Sequence, residues 1–154
     1  ELAHEIDYIL WFLGQPSRVA AHVTRVSGLE ISTPDMCVAL LIYADGSSVE
    51  LHLDYLSHKN LRGCRIIAER GTLEWSYSDQ RVEVFEPGRP EPRKLMSVAA
   101  DYDFNQTYMD ELENFIGVSK GASPRSVDMS HGVGIMRTLD AIIRSSASGE
   151  WVQL

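Results

Sequence analysis

The first thirteen residues repeat their apolar positions at helical spacing. Leu2, Ile6, Ile9, Leu10 and Leu13 fall on one face. Gly14 supplies a C-terminal stop and Pro16 prevents continuation. The opposite side carries His4, Asp7, Tyr8 and Trp11. That side is aromatic for a face turned to water, so another surface is expected to cover it.

The period then shortens. Arg18 to Val26 reads as a strand, followed by a Gly/Ser/Thr/Pro-containing loop from Ser27 to Pro34. Met36 to Tyr43 is a near-continuous apolar run, as expected of a central strand. Asp45-Gly46 marks a tight hairpin turn. Val49, Leu51 and Leu53 then alternate with Glu50, His52 and Asp54, giving a strand with two unlike faces. Arg65 to Arg70, Thr72 to Tyr77 and Arg81 to Phe85 read as three more short strands, punctuated by Gly71 and Ser78-Asp79. The proline-rich stretch Pro87 to Pro92 is an exposed loop, and Lys94 to Val98 offers another strand.

Helical spacing returns after residue 102. Asp103 and Gln106 have the spacing of a capping box, and Phe104, Tyr108, Leu112, Phe115 and Ile116 form an apolar stripe. Gly117 and Gly121 end that helix. A last helix runs from about Val127 to Ser146, with Met129, Val133, Met136, Leu139, Ile142 and Ile143 expected inward and Gly149 as its stop. Trp151-Val152 begins a terminal strand.

Strands in a block joined by hairpins predict an α+β fold with a large, open, mostly antiparallel sheet and helices on one face. The Met36–Tyr43 strand is apolar on both sides. Cys37, Ala39, Leu41 and Tyr43 line one side; Met36, Val38, Leu40 and Ile42 line the other. Three helical stripes cover only one face, so the other is expected to pack against a second copy, as a dimer or tetramer. Leu41 and Tyr43 are assigned to that open face, with Leu40 and Ile42 as the alternate set.

Composition narrows the function classes. The 154 residues suit one domain that buries a core without disulfides. Fourteen Lys and Arg against 22 Asp and Glu give a formal charge of −8, which argues against nucleic acid or an anionic membrane as main partner. The longest apolar run, Ile9 to Leu13, is far too short to span a bilayer. Cys37 and Cys64 sit in apolar stretches and read as reduced core residues of a cytoplasmic protein. There is no signal peptide pattern. With no initiator Met and a helix at the first residues, the chain is expected to be a piece of a longer polypeptide.

Four constellations could carry chemistry. Glu1 and His4 are i,i+3 neighbours on the first helix, and His4 and Tyr8 are i,i+4. A carboxylate beside an imidazole suits a general acid or base, although spacing alone favours a packing role. His52 and Asp54, with the distant His131, have the residue types of an iron-binding facial triad, but a polar strand face explains them better. Gly132-Val-Gly134 lacks the preceding strand and third glycine of a dinucleotide fingerprint. Asp54 and Tyr55, at a strand end, could hydrogen-bond a polyol, or could simply belong to a loop with a half-buried Tyr.

Taken in order, the segments resemble a known family. His4-Glu-Ile-Asp7-Tyr8-Ile-Leu-Trp11-Phe-Leu-Gly14-Gln-Pro16 looks like the helix that opens the C-terminal domain of the Gfo/Idh/MocA oxidoreductases, relatives of glucose–fructose oxidoreductase and inositol dehydrogenase. Leu53-Asp54-Tyr55-Leu56 and Glu69-Arg-Gly71-Thr72-Leu73-Glu-Trp75 resemble its central sheet. Thr138-Leu-Asp-Ala141-Ile142 to Ser146, then Gly149-Glu-Trp-Val152, is similar to its last helix and strand.

The resemblance implies that residues 1–154 form one substrate-binding and oligomerisation domain. The Rossmann domain that binds NAD or NADP, and the catalytic Lys of a Glu-Lys-Pro segment, would lie outside this chain. The family commonly places an Asp four residues before its catalytic His. His4 matches that His; the Asp position precedes residue 1, and Glu1, one residue nearer, shares the helix face. Tyr55 matches a substrate-contacting Tyr, and Asp54 and Tyr8 join it as substrate-binding candidates. The implied reaction passes hydride between a carbinol carbon and a nicotinamide, on a sugar, cyclitol or sugar derivative. This chain alone is expected to bind no NAD(P) and to be inactive. The alternative is a non-catalytic scaffold or sensor of the same family; a non-haem iron oxygenase is the third reading.

Overall fold

The computed structural model describes residues 2–98, 102–124 and 127–154. The elements in chain order are α1 (Leu2–Leu13), β1 (Arg18–Thr24), β2 (Met36–Ile42), β3 (Ser48–Asp54), β4 (Gly63–Ala68), β5 (Gly71–Ser76), β6 (Arg81–Phe85), β7 (Arg93–Ser97), α2 (Asn105–Ser119), α3 (Met129–Ser148) and β8 (Val152–Gln153). They form the expected α+β fold with open antiparallel sheets and three helices. Hydrogen bonding divides the strands between two four-stranded sheets, ordered β3-β2-β1-β8 and β4-β5-β6-β7. The chain falls into two compact units, Glu1–Leu56 with Gly117–Leu154, and Ser57–Ile116.

In the first unit, α1 ends where the sequence predicts. Gly14 takes φ +73°, a left-handed conformation that costs a glycine little, and its N–H donates to the Leu10 carbonyl at 2.8 Å. The chain turns back as β1, and β2 runs antiparallel between β1 and β3. The core joins Ile6, Ile9 and Leu10 of α1 to Val19, Cys37, Ala39, Leu41, Tyr43 and Leu51 of the strand region, and to Ala141 and Ile142 of α3. Fully burying a side chain such as Ile6, Leu41 or Ile142 contributes roughly 1.5–3 kcal/mol.

This reverses the expected facing of β2. Leu41 is 0% exposed and Tyr43 is buried, so the set assigned to the open face packs under the helices. Burial, and then the charge of Asp45, push the Tyr43 phenol up to about 12. The outer face carries Met36, Val38, Leu40 and Ile42. It is an apolar stripe one strand wide. Across the register, Val38 lies between His22 and His52, Leu40 between Ala20 and Glu50, and Ile42 between Arg18 and Ser48.

The inward face of α3 also differs from expectation. Gly134, Thr138, Ala141, Ile142 and Ser145 are buried, whereas Met129, Val133, Met136 and Ile143 are exposed. Close packing onto α1 and β1 selects small residues. A Cβ at Gly134 would lie 2.8 Å from Gln15 Oε1 and 3.3 Å from a Leu10 methyl.

In the second unit the alternation is partial: Ile67, on the same side of β4 as Arg65, is 77% exposed, and the β6–β7 register shifts between Val82 and Glu83. Arg65, Glu74, Glu83 and Lys94 form one cross-strand row of charge, with Arg65 Nε 2.8 Å from Glu74 Oε1. Ile66, Leu73 and Val84 lie in register on the other face. Cys37 is buried and Cys64 half-buried.

The α2 stripe does not pack as expected. None of its residues is buried, and Phe104, Tyr108, Leu112, Phe115 and Ile116 are all exposed. The Asp103–Gln106 capping box does not close either. Asp103 accepts from the Asn105 N–H, but the Gln106 amide donates forward to Asp110 at 2.7 Å.

Candidate functional site

His4 lies in the first turns of α1 with its side chain exposed. Burial of Ile6, Ile9 and Leu10 fixes the roll of that helix, which leaves His4, Asp7 and Trp11 on the other side. Trp11 is 72% exposed and packs against the Phe12 ring at 5.0 Å between centroids. Tyr8 is half-buried and meets Phe12 edge-on at 6.3 Å. Glu1, the expected carboxylate partner of His4, lies outside the described residues.

Asp7 reaches across to α3. Its Oδ1 is 2.6 Å from His131 Nε2, a charge-assisted contact between residues 124 apart. The His131 side chain is only 19% exposed. Asp128 caps α3 by accepting the His131 N–H at 2.9 Å. The Ser130 hydroxyl, and then that N–H, hold the Asp128 carboxyl below the usual carboxylate range. Leu10, Trp11, Gly14 and Gln15 of the α1 end, with Asp128, Ser130, His131 and Gly134, line a shallow cleft of about 390 Å³. Sequence reasoning missed this pairing. Helical periodicity shows which face is polar, not which distant residue meets it.

Asp54 and Tyr55 stand at the end of β3. Asp54 accepts from the Leu56 N–H at 2.7 Å and lies 3.0 Å from His52 Nε2. The Tyr55 side chain is exposed, while its N–H donates to the Asp35 carbonyl at 3.0 Å. Asp35 is itself a buried loop anchor. It accepts from the Ser27 hydroxyl and from the Val26 and Ser27 N–H groups. No hydrogen bond among the described residues joins His4 to Tyr55.

The iron reading lacks a converged ligand set. His52 pairs with Asp54 on β3, and His131 is engaged by Asp7 of α1. Among the described residues, no group of three His, Cys, Asp or Glu side chains comes together to hold a metal ion. Gly132-Val-Gly134 lies inside α3, where Gly134 packs closely on Leu10 and Gln15 while nothing crowds Gly132, and it forms no phosphate-binding turn. No described helix is long and apolar enough to cross a membrane.

The sequence matches a family described as "Oxidoreductase family, C-terminal alpha/beta domain" over residues 1–154. Among solved structures, the fold is similar to a levoglucosan dehydrogenase in complex with NADH, at 18% identity and a TM-score of 0.83, covering 99% of this chain and 48% of that one. It is also similar to the WlbA dehydrogenase from Bordetella pertussis in complex with NADH and UDP-GlcNAcA, at 21% identity and a TM-score of 0.73, covering 99% and 43%. A third is an oxidoreductase from Agrobacterium radiobacter in complex with NAD+, L-tartaric acid and magnesium, at 18% identity and a TM-score of 0.78, covering 98% and 47%. The chain thus spans about half the length of these structures. No curated protein matches it closely enough to count as a relative.

Proposed function

Because this chain belongs to the Gfo/Idh/MocA oxidoreductase family, as its C-terminal α/β domain, we propose that it is the substrate-binding and oligomerisation half of an NAD(P)-dependent dehydrogenase. The substrate class is a sugar, cyclitol or sugar derivative. Support comes from the similar structures, two of which are dehydrogenases holding NADH, one of them together with the sugar nucleotide UDP-GlcNAcA. The dinucleotide supplies hydride chemistry when bound. We assign its binding site to polypeptide outside this chain, which covers 48% and 43% of those two structures.

The observation that carries the reading is the exposed imidazole of His4 on the aromatic and polar side of α1. Such a group can take the proton from a substrate hydroxyl as the carbinol is oxidised and return it in the reverse direction. Glu1, three residues before His4 in the sequence, would favour the protonated form as the proton arrives. Tyr8, Asp54 and Tyr55 are the proposed hydroxyl-binding groups. Aromatic rings bordering an imidazole suit the apolar faces and polar edges of a sugar.

Oligomerisation is assigned to the outer face of the β3-β2-β1-β8 sheet. Its apolar stripe is flanked by Arg18 and His22 on one side and by Glu50 and Asp54 on the other. A two-fold axis can set each flank against the opposite flank of a second copy.

The test of function is His4→Ala in the protein that carries this chain. Loss of a general acid or base lowers kcat by roughly two or more orders of magnitude. Folding survives, because the side chain is exposed. Unchanged turnover would remove the catalytic role of His4, whereas a parent protein without turnover would favour a non-catalytic scaffold or sensor. Micromolar NAD binding by residues 1–154 alone would overturn the domain assignment.

A further inference from the structure

We propose that the cleft between the end of α1 and the start of α3 seats the nucleotide-binding half of the same polypeptide, with the Trp11 ring as its anchor. This rests on the reading of the chain as one half of a dehydrogenase.

Trp11 is 72% exposed, Phe12 54% and Val127 60%. These side chains are joined, not scattered. The Trp11 and Phe12 rings lie 5.0 Å apart between centroids, and Trp11 and Val127 line one cleft of about 390 Å³. An open tryptophan beside an apolar recess has the composition of the centre of a protein contact. The recess is also held in shape. Asp7 of α1 is 2.6 Å from His131 Nε2 of α3, and the Gln15 amide donates to Thr138 Oγ1 at 2.8 Å. A surface fixed in this way loses little freedom when a partner settles on it.

The proposed chemistry selects the occupant. His4 and Trp11 are seven residues apart on α1, which is two turns, or roughly 10.5 Å along the same side of the helix. The carbon whose hydroxyl proton passes to His4 is also the carbon that exchanges hydride, so the half holding the dinucleotide has to stand over that side of α1. A domain with a radius of gyration of about 13 Å or more that faces His4 also reaches Trp11. The similar dehydrogenase structures have room for such a half, since this chain covers 48% and 43% of them. A second copy does not fit the same place. The proposed oligomer face is the outer side of the β3-β2-β1-β8 sheet, whereas α1 and α3 pack against its inner side.

The cleft also states what it accepts. Asp128 stands in its lining, with Oδ1 fixed by the Ser130 hydroxyl at 2.6 Å and the His131 N–H at 2.9 Å. Among the described residues, no Lys or Arg lines the cleft. The docking segment therefore brings an apolar side chain for Trp11 and Val127, and a basic side chain or N–H group for Asp128.

Two measurements on the protein that carries this chain test the seat. Hydroxyl-radical footprinting compares oxidation of Trp11 in the native protein and in urea. A buried anchor is expected to be protected by roughly tenfold. Benzoylphenylalanine in place of Val127 then identifies the occupant by photo-crosslinking. The expected product is a same-chain link to a peptide outside residues 1–154. Trp11→Ala should lower its yield several-fold and Trp11→Phe should retain it, with circular dichroism unchanged because the side chain is exposed.

Trp11 oxidised as fast in the native protein as in urea overturns the proposal. So does a link of subunit-dimer size to residues 1–154, which makes the occupant a second copy, and so does protection that appears only when a sugar is added. Turnover that needs His4 while Trp11 stays open to solvent overturns the seat alone. The expected link in a protein without dehydrogenase activity supports the seat and overturns the functional reading instead.

Discussion

The backbone N–H of Ala21 donates to the Ser145 hydroxyl at 3.0 Å, and that hydroxyl donates in turn to the Glu150 carbonyl at 2.7 Å. Strand β8 pairs only with Arg18 and Val19 of β1. Beyond it the β1 edge is completed by a helix: Val23 donates to Ser146 Oγ at 2.7 Å. Two α3 hydroxyls thus take the place of a neighbouring strand and fix the helix against the sheet.

Ser145→Ala leaves the Ala21 N–H and the Glu150 carbonyl without that partner. The expected loss is about 1–3 kcal/mol, the cost of an unsatisfied buried polar group. Ser146→Ala should cost less, because its site is only half-buried. Urea denaturation of both variants measures this. Parent-like stability in Ser145→Ala would mean that water replaces the hydroxyl without loss.

The facing of β2 separates two effects of one substitution. Leu41 is fully buried, so Leu41→Lys places an unpaired charge in the core and should prevent folding. Leu40→Lys and Ile42→Lys alter the outer stripe. They should leave the circular dichroism spectrum intact while converting oligomer to monomer. Light scattering at micromolar concentration reads the outcome, and a monomeric parent protein would count decisively against the proposed interface.

Much of this fold is legible in the sequence. The α1 stripe, its Gly14 stop, the Asp45-Gly46 hairpin and the Gly149 cap all fall where spacing places them. The failures share one cause. Periodicity defines a face but not its neighbour. The Met36–Tyr43 strand is apolar on both sides, so alternation alone left its inward set undecided. On α3 the larger apolar residues suggested one face, yet close contact with α1 and β1 favoured Gly134, Ala141 and Ser145. The α2 stripe was visible, but nothing in its spacing says whether this unit covers it. At the site, His4, Asp54 and Tyr55 were drawn from the sequence. The Asp7–His131 contact was not, because it joins residues 124 apart.

The loop anchor beneath Tyr55 gives the protein an acid sensitivity. The Ser27 hydroxyl first, then the Val26 N–H, hold the Asp35 carboxyl below its ordinary value of 3.8. A depressed carboxyl contributes stability that is fully present above the unfolded value and is lost as pH falls through the folded one. Asp35→Asn should therefore be less stable than the parent at neutral pH. That gap should begin to close below 3.8, as the parent carboxyl becomes protonated. The Asp35 carbonyl also accepts the Tyr55 N–H, so loosening the loop should disturb the proposed substrate side as well. Denaturation curves of the two proteins from neutral pH to pH near 3 test the linkage. A stability gap that stays constant across that range would show that the Ser27 and Val26 contacts do not depend on the charge of Asp35.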